Sequence, residues 1–270
     1  MIVQNFLPSH YSEVSYIDYI IDELTKNFDD THSLYIIHPD LNVIGGPEFS
    51  EKLKTDTNFK IGIHVGNERD YQPMFYEMFD IVFRFYLTKN CDYSKIYPIN
   101  IGYNSTGKKG LKPKSVKKLS ERKYNVFFMG NKNIRPDFTD SITKIKQSFS
   151  IHFTSGFREG VPIEQYFELL SDAKICLVPS GYSPETFRYS ESFGSGCIVI
   201  TDSKDDVWYY NDTPAIVVPN WSVVTEEFLQ NILNSNIDEL QQKNLEYYEK
   251  CLSPEANANY IINIIKSKNN

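Results

Sequence analysis

From Tyr124 onward the chain alternates short apolar runs with longer segments whose apolar residues recur at helical spacing. "YNVFFMG", "SIHFTS", "KICLVP", "CIVIT" and "PAIVVP" read as strands. Between them, "RPDFTDSITKIKQ" predicts a helix with Pro136 near its first turn, where the missing N–H costs nothing. "VPIEQYFELLSDA" places Ile163, Tyr166, Phe167 and Leu170 at i, i+3, i+4 and i+7, which is one helix face. Continuous apolar strands separated by helices indicate a parallel sheet covered on both sides. The tail from Glu226 to Lys268 reads as helical, with a break near Ser253–Pro254.

The first half carries the same alternation more faintly. "SEVSYIDYIIDELTKNF" is an amphipathic helix, and "SLYII", "FKIGIHV", "DIVFRF" and "YPINIG" are strand candidates. Between the halves lies "TGKKGLKPKSVKK", Thr106 to Lys118, with six lysines, two glycines, one proline and no acid. Its Gly and Pro punctuation reads as a solvated linker; a basic patch meeting an anionic acceptor or a membrane surface is the alternative. The expected division is an N-terminal α/β lobe over 1–105, the lysine-rich linker over 106–122, and a second Rossmann-like lobe with C-terminal helices over 123–270. The fold class is α/β, with two Rossmann-like lobes.

Composition narrows the function classes. The 270 residues are 41% hydrophobic and 14% aromatic, enough for one large domain or two lobes with real cores. No apolar run reaches the length of a membrane span, and "MIVQNFLPSHYSEVSY" lacks the layout of a signal peptide. A cytoplasmic location, with peripheral membrane association as a variant, is the expectation. The net charge of −7 argues against a nucleic-acid partner. Cys91, Cys176, Cys197 and Cys251 are far apart and read as free thiols. No His/Cys cluster has zinc spacing, and no G-x-S-x-G elbow points to a hydrolase.

The chemistry concentrates in "ICLVPSGYSPETFRYSESFGSGCIVI", Ile175 to Ile200. A strand ends at Pro179, Ser180–Gly181 turns the chain, and Ser183 with Pro184 predicts a helix start. The intervening loop then lies at the carboxyl end of a parallel sheet, where open α/β folds bind ligands. A helix N-terminus suits a phosphate, and Ser180 and Gly181 allow close approach. Arg188 offers a bidentate fork to a diphosphate, while Glu191 can accept from two ribose hydroxyls. From spacing alone, an Arg–Glu pair on a solvated helix face fits equally well. "FGSG" follows the helix rather than opening it, so it is not a dinucleotide fingerprint.

The stretch "YFELLSDAKICLVPSGYSPETFRYSESFGSGCIVITDS" resembles the signature of exostosin-type glycosyltransferases. Tyr166, Leu170, Lys174, Cys176, Leu177, Pro179, Gly181, Arg188, Glu191, Gly196, Cys197, Ile198 and Ile200 fall on the pattern of that family. "RKYNVFFMGNKNIRPDF" is similar to the strand, glycine and arginine that open the family's nucleotide lobe. "IGIHVGNERD…FDIVFRFY…IYPINIGYN" is similar to the subgroup containing the ribitol-phosphate xylosyltransferase. The similarity spans roughly Lys60 to Lys250 and departs at Val199, where the family has proline. It implies a two-lobed GT-B architecture and transfer of a sugar from a nucleotide-diphosphate donor, UDP-linked, to a glycan or polyol-phosphate acceptor. Arg188 and Glu191 would then hold diphosphate and ribose, with Gly130 and Arg135 bordering the phosphates.

Retaining two-lobed transferases carry a second glutamate eight positions before the position of Glu191; Ser183 stands there, which favours inversion. No D-x-D stands at a strand end, and two arginines can neutralise the leaving nucleotide, so no metal cofactor is expected. Inversion requires a base for the acceptor hydroxyl. His38, Asp40, His64, Glu68 and Asp70 follow or end first-lobe strands; Glu68 is the preferred base, and His64 reads as a core residue. The chain's short length leaves room for a partner transferase. The rival functions are an inactive glycosyltransferase-like partner subunit and a nucleotide-sugar epimerase or hydrolase.

Overall fold

The computed structural model describes residues 1–38, 46–66, 74–86, 94–145, 150–156, 159–202, 204 and 206–268. Two compact units divide the chain: Met1–Gly110 together with Pro254–Asn270, and Leu111–Ser253.

The first unit is built on five parallel strands in sequential order: β1 (Ile2–Asn5), β2 (His32–Ile37), β3 (Phe59–His64), β4 (Ile81–Arg84) and β5 (Ile96–Pro98). Helix α1 (Val14–Asn27) connects β1 to β2, and α2 (Gly46–Thr55) connects β2 to β3. Tyr35, Ile37 and Val82 join Phe49 and Leu53 of α2 in one apolar cluster. Leu34, Ile36, Ile61, Ile63 and Phe83, at the alternate strand positions, are buried as well, so both sheet faces are covered. The terminal helix, Pro254–Lys268, packs on α1, and its Tyr260 ring lies 6.5 Å from Phe83. That helix therefore belongs to the first unit, whereas its place in the sequence grouped it with the second. The chain leaves the second unit at the Ser253–Pro254 break and returns its apolar face to α1.

The second unit has five parallel strands in the order β7-β6-β8-β9-β10. They are β6 (Tyr124–Asn131), β7 (Ser150–Thr154), β8 (Ala173–Val178), β9 (Ile198–Thr201) and β10 (Ile216–Val217). The helices are α3 (Pro136–Thr143), α4 (Ile163–Ser171), α5 (Phe187–Gly194), α6 (Glu226–Leu233) and α7 (Ile237–Tyr247). The strand order reverses at β6: the chain steps to β7 on one side, then returns to β8 on the other. That reversal is a topological switch point, where an open sheet leaves a crevice beyond its carboxyl ends. Val126, Phe128, Ile175, Leu177, Ile198 and Ile200 supply the strand side of a core completed by α3, α6 and Trp221.

Two local features differ from the sequence expectation. Helix α5 begins at Phe187, not at Pro184, because the Ser183 hydroxyl accepts from the Glu185 N–H at 3.2 Å and closes a turn. The helix ends in a left-handed Gly196 (φ 71°), with Gly196 N–H bonded to Phe193 O and Cys197 N–H to Ser192 O. The second difference is the lysine-rich stretch: the units divide at Gly110, and 111–122 folds onto the second unit. Gln241 donates to Ser115 Oγ and Lys117 O and accepts from Leu119 N–H. Buried Arg122 donates to Ala173 O (2.8 Å) and Ser195 O (2.6 Å).

Arg122→Ala leaves those two carbonyls without their donor, a loss of roughly 2–4 kcal/mol in the second unit. Calorimetry on the full chain should show one transition falling by several degrees; an unmoved transition would mean that Arg122 does not anchor the segment.

Candidate functional site

The switch point gathers four of the residues singled out in the sequence. Strand β6 ends at Gly130 and Asn131, and Arg135 is the N-cap residue of α3. Arg135 donates from Nη1 to Asn131 O at 3.1 Å and from Nε to Pro179 O, just beyond β8, at 3.4 Å. Gly181 leaves room for this guanidinium: a Cβ there would lie 3.2 Å from Arg135 Nη2. Arg188, in the first turn of α5, donates from Nη2 to Met129 O at 2.6 Å. Its guanidinium carbon stands 4.7 Å from the Phe128 ring centroid, a cation–π arrangement. A Cβ at Gly130 would come within 2.8 Å of Arg188 Nη2 and 2.9 Å of Phe128 Cζ, so the glycine is what admits the stacked arginine. Arg188 Nε is buried and has no hydrogen-bond partner among the described residues.

Two guanidiniums are thus anchored by backbone carbonyls on the last residues of one strand. Such an arrangement holds fixed positive charge, with planar N–H forks, at the crevice of an open sheet. Ser180 is differently placed. Its N–H donates to Asp202 Oδ1 at 2.8 Å and its hydroxyl to Asp202 Oδ2 at 3.2 Å. Both donors expected to face an anion are engaged by a carboxylate that follows β9. Trp221 Nε1 donates to the same Asp202 Oδ2 at 2.7 Å.

Glu191 is not on a solvated face. It is 3% exposed, and its Oε2 accepts from the Tyr166 hydroxyl of α4 at 2.8 Å. Burial and the neighbouring Glu191 charge push the Tyr166 phenol well above its ordinary range, against a smaller opposing effect from Arg188. Tyr166 therefore remains a donor.

In the first unit, His38 is 8% exposed beside the Tyr11 ring, at 4.3 Å between centroids. His64, at the end of β3, is 1% exposed and bonded through Nδ1 to Tyr76. Burial, then the Arg84 and His38 charges, lower its pKa to about 3, so it is a neutral core histidine. Asp40, Glu68 and Asp70 lie outside the described residues, as does Cys91. Cys176, Cys197 and Cys251 are free and buried. Among the described residues, no cluster of three His, Cys, Asp or Glu side chains could hold a metal, and no helix is long and apolar enough to cross a membrane.

Asp202, Trp221, Phe128 and Tyr166 were missed as site residues. A "TD" dipeptide ending a strand marks Asp202 only weakly, and the partners of all four are distant in sequence.

The two sheets define an α/β fold of the GT-B type found in glycosyltransferases. The chain is similar to a glycosyltransferase from Rickettsia africae ESF-5, with a TM-score of 0.52, 12% identity, and coverage of 98% of this chain and 97% of that one. It is also similar to the T4 phage β-glucosyltransferase, at TM-score 0.50 and 10% identity over 98% of both chains. The pneumococcal O-GlcNAc transferase GtfA, solved with UDP and GlcNAc, aligns at TM-score 0.50 and 13% identity over 92% of this chain and 59% of its own. No protein-family profile and no curated protein matches the chain.

Tyr166→Phe removes one donor from a buried carboxylate, with an expected cost of roughly 1–3 kcal/mol. The second unit should melt several degrees lower; an unchanged melting curve would show that Glu191 does not depend on Tyr166.

Proposed function

We propose that the chain is an inverting glycosyltransferase that moves a sugar from a nucleotide-diphosphate donor, UDP-linked, to a hydroxyl of a glycan or polyol-phosphate acceptor. The observation that carries this reading is the pair Arg135 and Arg188 at the β6/β8 switch point, with Arg188 Nε left unsatisfied. Glycosyl transfer expels a nucleoside diphosphate, and the developing charge on its phosphate oxygens is what the site must stabilise. Guanidiniums fixed in advance by Met129 O and Asn131 O need no reorganisation as that charge grows. The exostosin resemblance supports the donor class, as does the fold shared with GtfA, whose structure holds UDP and GlcNAc.

Each residue has a defined part in this reading. Arg135 and Arg188 take the diphosphate, and Gly130 and Gly181 give the two guanidiniums their space. Glu191, at 3% exposure, meets the ribose hydroxyls only once its cover moves, so it is secondary to the arginines. Ser180 fixes the turn rather than the phosphate, since Asp202 holds its donors. Glu68 is the proposed base for the acceptor hydroxyl, and inversion rests on Ser183 occupying the position of a retaining enzyme's other glutamate. Peripheral membrane association, through the lysine-rich segment, and a partner transferase are further proposals.

Titration with UDP tests the donor site. The wild-type chain should bind UDP, and Arg135→Ala or Arg188→Ala should each weaken binding about 10–100-fold, the worth of a lost charge-assisted hydrogen bond. Unchanged affinity in both folded variants would overturn the assignment. A wild-type chain that binds no nucleotide sugar would instead be a non-catalytic subunit. Free sugar released without acceptor would mark a hydrolase.

Two kinetic outcomes follow. Transfer should persist in EDTA, because guanidiniums supply the leaving-group charge; loss restored by Mn²⁺ would move that role to a metal. Glu68→Gln should slow turnover about 10²–10⁴-fold while leaving UDP affinity intact. Near-normal turnover at saturating acceptor would eliminate Glu68 as the base.

A further inference from the structure

Asp202 collects three hydrogen bonds on one carboxylate: Ser180 N–H (2.8 Å), the Ser180 hydroxyl (3.2 Å) and Trp221 Nε1–H (2.7 Å). From it, two separate chains of contact run to the two arginines. Along the first, Ser180 follows Pro179, whose carbonyl accepts from Arg135 Nε, and precedes Gly181, which flanks Arg135 Nη2. Along the second, Trp221 packs edge-on against Phe138 at 4.7 Å between centroids, and Phe138 lies 4.6 Å from Phe128. Phe128 is the ring on which Arg188 rests. Trp221, Phe138 and Phe128 are each 3% exposed or less, so a shift in one is passed to the next.

An acid at this position presents a paradox. A carboxylate bonded to the turn beside two diphosphate-binding arginines opposes the approach of an anion. Its charge is useful only if what it holds matters more than what it repels. We propose that Asp202 is a positioning residue: it clamps the Ser180 turn and the Trp221 ring, and thereby sets the spacing of the Arg135 and Arg188 guanidiniums. The inference rests on the arginine pair being the diphosphate site. All three of these Asp202 contacts run to protein donors.

The sign of one substitution separates positioning from simple electrostatics. Asp202→Asn keeps the shape, removes the charge and replaces an acceptor oxygen with a donor. If Asp202 merely sat near the phosphates, its neutralisation would tighten UDP binding. If it positions the arginines, binding weakens about tenfold, as for one lost charge-assisted hydrogen bond. Calorimetric titration of the full-length chain with UDP reads this difference. Uridine, which lacks the phosphates, is the control and should bind wild type and variant alike. A double-mutant cycle with Arg135→Ala adds a readout that general destabilisation would not move: the two losses should be less than additive.

Trp221 gives a second measurement. The chain has two tryptophans, Trp208 and Trp221, so Trp208→Phe leaves Trp221 as the sole reporter. Its fluorescence should change when UDP binds and lose that response in the Asp202→Asn background. Should Asp202→Asn fail to fold, Trp221→Phe decides: it removes the indole N–H that Asp202 holds, along with part of the ring packed on Phe138, and should weaken UDP binding about threefold, less than a full charge-assisted bond. Equal or tighter UDP binding in Asp202→Asn, or in Trp221→Phe if that variant must serve, overturns the proposal. A wild-type chain that fails to bind UDP overturns the donor-site reading beneath it instead.

Discussion

The reversal of strand order at β6 is the constraint on which the candidate site depends. Helical crossovers carry the chain from β6 to β7 on one side and then back to β8 on the other. The connections leaving β6 and β8 therefore diverge, and the backbone at their carboxyl ends is not covered by a helix passing between them. Arg135 enters that space from the start of α3, and Arg188 from the start of α5. The first unit's sheet runs β1 to β5 in sequential order and has no such reversal. Any ligand site there must come from loops rather than from the strand order itself.

Both guanidiniums are held by carbonyl dipoles at the end of β6. Met129 O and Asn131 O accept from the two side chains, and the face of Phe128 accommodates Arg188. A lysine could not reproduce this geometry, because a point charge on a flexible stem has no planar fork to lie across a ring while bonding in its plane. The same geometry explains the two glycines. Neither Gly130 nor Gly181 has a positive φ, so neither is required for backbone freedom. At Gly130 a Cβ would collide with Arg188, and at Gly181 it would crowd Arg135 more mildly.

Much of this was legible in the sequence where the signal was local. Strands β6 and β8 stood out as apolar runs, and α4 as a four-point helical face. Gly130, Arg135 and Gly181 could be placed because each lies at or within a few residues of a recognisable strand end, and Arg188 because it opens the helix that follows β8. The start of α5 was misplaced because Ser183–Pro184 satisfies the local rule for a helix start while serving a turn three residues earlier. Strand β1, four residues at the sheet edge with Ile2 43% exposed, offered too little apolar pattern to be seen. The terminal helix is visible as a helix, but its return to α1 is a tertiary fact that sequence adjacency points away from. The same limit hid Tyr166–Glu191, 25 residues apart, and Asp202 with Ser180, 22 apart. Those pairs exist only after neighbouring strands and helices have been packed.

The buried acid in α5 completes the electrostatic picture. Glu191 is 3% exposed, and an isolated carboxylate so buried would be costly. The Tyr166 hydroxyl donates to it, and Tyr166 responds to the charges of both Glu191 and Arg188, which places all three within one electrostatic neighbourhood. Glu191 shares α5 with Arg188, and Asp202 bonds the Ser180 turn whose Pro179 carbonyl holds Arg135, so the positive charge of the two arginines is not unopposed. In a chain of net charge −7, a diphosphate would then gain little from long-range attraction. Its binding would have to come from short-range, directional hydrogen bonds to guanidiniums whose positions are already fixed. That is why the supports of the arginines, more than their number, decide whether this crevice can hold a nucleotide.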